Sequence, residues 1–261
     1  MIPLLDAKQL QGFPAASFAQ RAPFPWYDFQ DLLTPEAFAR LYADFPPLAA
    51  FERHQGLPRA HGQRSHDRYY LAYETSLYHE GGGAGEYKLD SGGGTIRHEE
   101  LAPSWQAFID ELRDENGYAG FVARALGLPS VRLRFAWHLG TDGSEVSPHR
   151  DADNKIGTHI FYFNTSEDWR REWGGQFVAL GGKKVARRNP EFDEFETEEK
   201  IEILDNRSFL FKNTADAWHG VRRLSAPQGA YRRLFNVVAH AGSESAAASG
   251  LGTRLRRMLG R

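Results

Sequence analysis

The chain of 261 residues has no cysteine, which excludes a disulfide framework and a thiolate zinc site. It also has little charge of one sign. Its 32 Lys and Arg against 34 Asp and Glu leave a formal net charge of -2, so no global electrostatic pull draws it to nucleic acid or anionic lipid. No apolar run is long enough to span a bilayer. The opening "MIPLLDAKQLQGFPAASFAQ" lacks a basic region followed by an apolar one, so no secretory signal is expected. These absences predict a cytoplasmic protein. Its 41% hydrophobic content is enough to bury one sizeable core.

Along the chain, the first third predicts helices and loops. In "LLTPEAFARLYADFPP", Thr34 is placed as an N-cap and Pro35 at the first helical position, with Phe38, Leu41 and Phe45 as the apolar stripe and Pro46 and Pro47 as the stop. "PSWQAFIDELRDENG" predicts a second helix capped by Ser104 and closed by Gly117, and "YAGFVARALGLP" a third. The glycine-rich residues 80–94 predict an exposed loop, with a lid contributing Tyr87 or Lys88 as the functional alternative. From Ser130 the pattern turns to short runs rich in β-branched and aromatic residues: "VRLRFAWHL", "KIGTHIFYFN", "GGQFVAL", "KIEILDNRSFLFKN" and "YRRLFNVVAH". Such a series predicts a sandwich or barrel preceded by packing helices. The basic-then-acidic segment "GGKKVARRNPEFDEFETEEK" reads as a solvated hairpin arm, and residues 241–261 as a small-residue linker before a basic tail. The expectation is a single domain over residues 1–240, helical to about 129 and β from about 130.

Chemistry concentrates in "SPHRDADNKIGTHIFYFN". His149 and Asp151 flank one Arg at the entry to a strand, offering a metal an imidazole and a carboxylate from neighbouring positions. "RSFLFKNTADAWHGVRRL" supplies a third donor in His219. Two imidazoles and a carboxylate on one face of a metal leave positions open for a co-substrate and O₂, which suits non-haem Fe(II) although zinc accepts the same set. Arg232 and Arg233 fall on a strand expected inside the same barrel, where a buried guanidinium calls for a carboxylate. A dicarboxylate that chelates the metal at one end and meets Arg at the other fits both features. Tyr162 shares a strand face with Thr158 and Ile160, and its phenol offers the same carboxylate a hydrogen bond. Trp137, His138, Asn213 and Trp218 lie near these motifs without an assigned role, and Arg222 and Arg223 read as rim residues.

"HRDADNKIGTHIFYFN", then "W...WGGQFVAL" (Trp169, Gly174 and Gly175), "WHGV" and "GAYRRLFNVV" occur in an order that resembles the 2-oxoglutarate and Fe(II)-dependent dioxygenases, specifically the prolyl-hydroxylase-like branch. The resemblance covers about residues 130–240. It implies a distorted double-stranded β-helix, or jelly roll, mainly β and buttressed by N-terminal helices. It carries the metal ligands onto His149, Asp151 and His219, and 2-oxoglutarate binding onto Arg232, Tyr162 and Thr158. The family's R-x-S pattern meets Leu234 instead of Ser, which keeps Arg233 in contention. Because Asp151 is present, where halogenating relatives lack the carboxylate, oxygen transfer is implied. Fe(II), 2-oxoglutarate and O₂, with ascorbate as a supporting reductant, would act on an organic substrate: a small molecule, a glycan or a protein side chain. The alternatives are a non-redox cupin-like jelly roll binding a metal or sugar, and an interaction module with a vestigial triad.

Overall fold

The computed structural model describes residues 3–57, 66–76 and 94–242. Most of the glycine-rich stretch 80–94, with Tyr87 and Lys88, and the tail beyond 242 lie outside the described residues. Three short elements open the chain: helices α1 (Ala7–Gln11) and α2 (Ala15–Gln20), then strand β1 (Trp26–Gln30). Helix α3 (Pro35–Ala43) forms as the sequence predicts. Pro35 sits in its first turn and the Thr34 hydroxyl accepts from the Ala37 amide at 3.3 Å, meeting one of the unpaired amides of a helix start.

The next helix corrects an expectation. It runs from Pro103 to Arg113 (α4), so Ala102 holds the cap position with no side-chain hydrogen bond and Ser104 lies inside the first turn. The Ser104 hydroxyl instead donates to Asp44 at 2.6 Å, at the end of α3. A tertiary acceptor outweighs the local cap. Gly117 does fall after the end of α4, immediately before helix α5 (Tyr118–Leu126), and Gly127 ends α5 in the left-handed conformation, where a glycine is least strained.

The first third also holds strands that its sequence pattern does not announce: β1, β2 (Glu52–His54), β3 (Arg68–Tyr73) and β4 (Thr95–Ile96). Their partners are remote in sequence, β1 pairing with residues 207–211 and β3 with residues 136–139. The later strands are β5 (Val131–Gly140), β6 (Val146–His149), β7 (Gly157–Tyr162), β8 (Phe177–Lys183), β9 (Phe195–Ile201), β10 (Arg207–Lys212), β11 (Trp218–Val221) and β12 (Arg232–Ala241). "KIEILDNRSFLFKN" is therefore two pieces, parted where Asp205 and Asn206 both take positive φ. The β8–β9 hairpin matches the expected solvated arm.

Two sheets result. The larger has the order β1-β10-β7-β12-β5-β3-β2, with β4 beside β3, and the smaller has β6-β11-β8-β9. Among the described strands all pairs are antiparallel except β3–β4. This is a mainly β jelly roll, with helices covering one face of the larger sheet.

Strand alternation separates two cores. One face of the larger sheet sends Phe161, Phe163, Trp137, Phe235 and Val237 against Trp105, Phe108 and Ile109 of α4. Trp105 is fully buried, its ring centroid 5.0 Å from Phe235 and 5.1 Å from Trp137. The opposite face sends Ile160, Tyr162, Phe209, Phe211 and Leu234 against Phe177, Ala179 and Val221 of the smaller sheet. Between the sheets, next to this second core, opens a cavity of about 1000 Å³. Among the described residues no helix is long and apolar enough to cross a membrane.

Candidate metal and anion site

Pairing of β6 with β11 sets His149 directly opposite His219, with ring centroids 4.4 Å apart. Asp151 follows two residues after His149, and a ligating atom from each of the three lies within 4.8 Å of the others. The Nδ1 atoms of His149 and His219 lie 3.0 and 2.9 Å from the carbonyl oxygens of Ser147 and Ala217. A carbonyl only accepts, so each Nδ1 carries the hydrogen and each Nε2 keeps the lone pair. Backbone contacts thus fix both tautomers in the form a divalent metal requires.

Both oxygens of Asp151 are engaged. Lys155 pairs with Oδ1 at 2.9 Å, and Thr158 donates to Oδ2 at 3.3 Å. Burial raises the proton affinity of the carboxyl, but Lys155, His219 and His149 together outweigh it and hold the group well below the usual carboxylate range. It is an anion at neutral pH. The Asn213 side-chain amide donates to the carbonyls of Lys155 at 2.9 Å and Ala152 at 3.1 Å, and lies 3.4 Å from that of Asp151. It thereby holds the loop that carries the carboxylate.

The structure separates the two adjacent arginines. Arg232 is buried and lines the cavity. Its Nε donates to the Gly175 carbonyl at 2.6 Å, and its guanidinium carbon lies 5.2 Å from the centre of the Tyr162 ring. Among the described residues no carboxylate pairs with it. Burial pulls its proton affinity down, opposed by Tyr162. Arg233 points the other way and is ion-paired with Asp168, which also accepts from the Tyr42 hydroxyl at 3.0 Å.

Tyr162 does not line the cavity itself. It packs behind Arg232, with its hydroxyl buried and lacking a hydrogen-bond partner among the described residues. Burial pushes this phenol up to about 12 despite the neighbouring guanidinium, so it stays protonated and able to donate. Thr158 lines the cavity and reaches Asp151, as noted. A buried cation without a counter-ion, beside an unpartnered phenol, is a fit for a carboxylate entering the cavity.

Of the residues without an assigned role, His138 and Trp218 line the cavity, whereas Trp137 belongs to the helix-side core. Arg222 pairs with Glu198. Two residues were missed outright. Lys155 stands four positions after Asp151, within one turn of chain. Asn236 shares the Arg232 face of β12, and its amide meets His138 Nε2 at 3.2 Å; strand alternation alone could have flagged it.

Comparison with known proteins gives these features a lineage. Residues 134–239 match the family model of the 2OG-Fe(II) oxygenase superfamily, while curated protein sequences yield no match. Among solved structures, a Pseudomonas putida prolyl-4-hydroxylase is 16% identical, with a TM-score of 0.51 over 88% of this chain and 99% of that one. A Trichoplax adhaerens prolyl hydroxylase, solved with a hypoxia-inducible-factor peptide, is 12% identical with a TM-score of 0.52 over 92% and 93%. HygX from Streptomyces hygroscopicus, solved with nickel and 2-oxoglutarate, is 13% identical with a TM-score of 0.53 over 92% and 88%. Residues 134–239 are thus similar to the 2OG-Fe(II) oxygenase superfamily, and the chain shares the jelly-roll fold of these solved structures.

Proposed function

We propose that His149, Asp151 and His219 hold one Fe(II), that Arg232 binds the distal carboxylate of 2-oxoglutarate, and that the enzyme hydroxylates an unactivated C–H of an organic substrate. The observation that carries this reading is the buried Arg232 guanidinium, with no carboxylate partner among the described residues, in the same cavity as the His-Asp-His cluster. A non-redox jelly roll has no use for such a cation. Fe(II) and 2-oxoglutarate would supply the oxidising chemistry, in which O₂ is consumed, 2-oxoglutarate becomes succinate and CO₂, and the substrate gains a hydroxyl.

The chain's own groups set the geometry. The Ser147 and Ala217 carbonyls orient the imidazoles, Thr158 and Lys155 orient the Asp151 carboxylate, and the Tyr162 phenol stands ready to donate beside Arg232. Ile160, Phe177, Val221 and Leu234 give the cavity an apolar lining that keeps water from the bound co-substrate. The proposal includes a single catalytic domain over residues 1–240 and a cytoplasmic location, where a reducing medium keeps iron ferrous. Ascorbate would serve the same end in the assay.

Anaerobic Fe(II) titration tests the assignment. His219→Ala is expected to lose iron binding together with substrate-free turnover of 2-oxoglutarate. A variant that still binds one full equivalent of iron would falsify the triad.

A further inference from the structure

Two cations at the cavity wall have no part in the reading above. Arg150 stands between His149 and Asp151, is exposed, and lines the cavity. Lys183 ends β8 on the same wall, its ammonium 4.3 Å from the centre of the Trp218 ring, and Trp218 directly precedes His219. Neither cation has an ion pair among the described residues. The acid whose charge reaches Lys183 is Glu194, and Arg187 already pairs with it. The β6–β11–β8 register brings the two together. His149 pairs with His219, so Arg150, the next residue, falls beside Trp218, and Trp218 pairs with Leu180 of the strand that Lys183 ends. Burial and then the positive charge of Arg150 lower the Lys183 proton affinity.

The local balance agrees. Among the described residues seven Arg and Lys line the cavity against four Asp and Glu, in a chain whose net charge is -2. The excess therefore belongs to the cavity and not to the molecule. Two like charges held together repel until an anion bridges them, and such a wall also draws anions in from solution.

We propose that Arg150 and Lys183, with the Trp218 ring as a floor, form an oxyanion subsite that takes a phosphate or carboxylate group of the substrate to be oxidised. The inference rests on the oxygenase reading for the identity of that substrate, but the subsite is distinct from Arg232. Arg232 lies on β12 in the larger sheet, whereas Lys183 and Trp218 belong to the smaller one and Arg150 directly follows its strand β6. A substrate anchored here by its anion stands beside the His149–His219 pair.

Inorganic phosphate and acetate are suitable probes, titrated calorimetrically into the full chain saturated with Mn(II) and 2-oxoglutarate. Saturable, salt-sensitive binding is expected. Arg150→Ala and Lys183→Ala should each weaken it about tenfold, the scale of one charge-assisted hydrogen bond, and the double variant should abolish it. Lys8→Ala should bind as the wild type does, and 2-oxoglutarate affinity should hold throughout. Tighter phosphate than acetate assigns a phosphoryl group, and the reverse a carboxylate. Equal binding by wild type and double variant, or competition between the probe and 2-oxoglutarate, would overturn the proposal. Repeating the titration on metal-free Arg232→Ala protein separates the two readings. Failure of the wild-type chain to bind Mn(II) and 2-oxoglutarate would condemn the oxygenase assignment, while sensitivity of probe binding to Arg150 and Lys183 in the metal-free Arg232→Ala protein still reports the subsite.

Discussion

At the scale of single residues, the reach of Arg232 into the cavity depends on what residue 175 lacks. Gly175 has φ +94°, and a Cβ there would stand 2.9 Å from Arg232 Cδ and 3.2 Å from its Nε. The same glycine's carbonyl accepts from that Nε. Gly175→Ala would both strain the backbone and push the guanidinium aside, at a stability loss of about 1 kcal/mol or more. We expect 2-oxoglutarate affinity to fall by about tenfold, while anaerobic titration finds iron affinity close to wild type. Parallel loss of both affinities would show that the glycine serves the fold and not the guanidinium. Arg232→Lys is the companion variant: it keeps the charge and loses the bidentate fork, so co-substrate affinity should fall without recovering the wild-type value at high pH or low salt. Alternation along β12 was enough to split Arg232 from Arg233 onto opposite faces. That Arg233 would be met by Asp168 was not legible, because their contact spans 65 positions and no local pattern encodes it.

At the scale of elements, the candidate site combines two rigid strand positions with one loop. His149 and His219 are locked by the β6–β11 ladder, whereas Asp151 sits beyond the end of β6 and needs support from elsewhere. Asn213 gives it. An amide has two N–H hydrogens, so the bonds at 2.9 and 3.1 Å to Lys155 and Ala152 use its full donor capacity. Turning the amide over would set oxygen against oxygen, so its orientation is chemically determined. Asn213→Ala would leave the Lys155 carbonyl unmet, at about 1–3 kcal/mol, take one of two donors from the Ala152 carbonyl, which keeps the Lys155 amide, and loosen the loop. Iron affinity is expected to drop about tenfold or more, the usual range for outer-sphere supports, with little change in 2-oxoglutarate affinity once iron is saturating. Unchanged iron affinity would remove Asn213 from the site. The elements that sequence revealed are those with strong local signals: the Thr34–Pro35 helix start, and strands whose two buried faces read as unbroken apolar runs. The early strands stayed hidden because β1 and β3 are stabilised by partners far along the chain, and tertiary pairing overrides weak local preference. Ser104 misled for the same reason, since its hydroxyl found Asp44 of another element.

At the scale of the whole molecule, one buried histidine ties the helical layer to the larger sheet and sets a limit on acid stability. His159 lies on the face of β7 away from the cavity, almost wholly inaccessible to solvent. Its Nδ1 meets the Tyr118 hydroxyl of α5 at 2.8 Å, and its Nε2 meets the Ser208 hydroxyl of β10 at 3.0 Å. A neutral ring satisfies both contacts with one N–H and one lone pair. Burial pushes its pKa down to about 3, against roughly 6.5 in an unfolded chain. Between those values the unfolded state takes up a proton that the folded state refuses, so stability rises with pH across the window and is lost as pH falls through it. From pH 7 to pH 4.5 this group alone should remove roughly 2–3 kcal/mol, a large share of the stability typical of a domain. Buried His138 and His240 are depressed in the same direction and add to the slope. Asp151 acts in a separate window, because its depressed carboxyl sheds stability only as pH falls below the ordinary range for Asp. Urea unfolding at pH 7 and pH 4.5 can isolate the His159 contribution. His159→Gln is expected to be less stable at pH 7, having lost one of two hydrogen bonds, but to lose about 2–3 kcal/mol less than wild type on acidification. If wild type and variant weaken equally between the two pH values, His159 is already protonated in the fold, and the neutral bridge between Tyr118 and Ser208 is wrong.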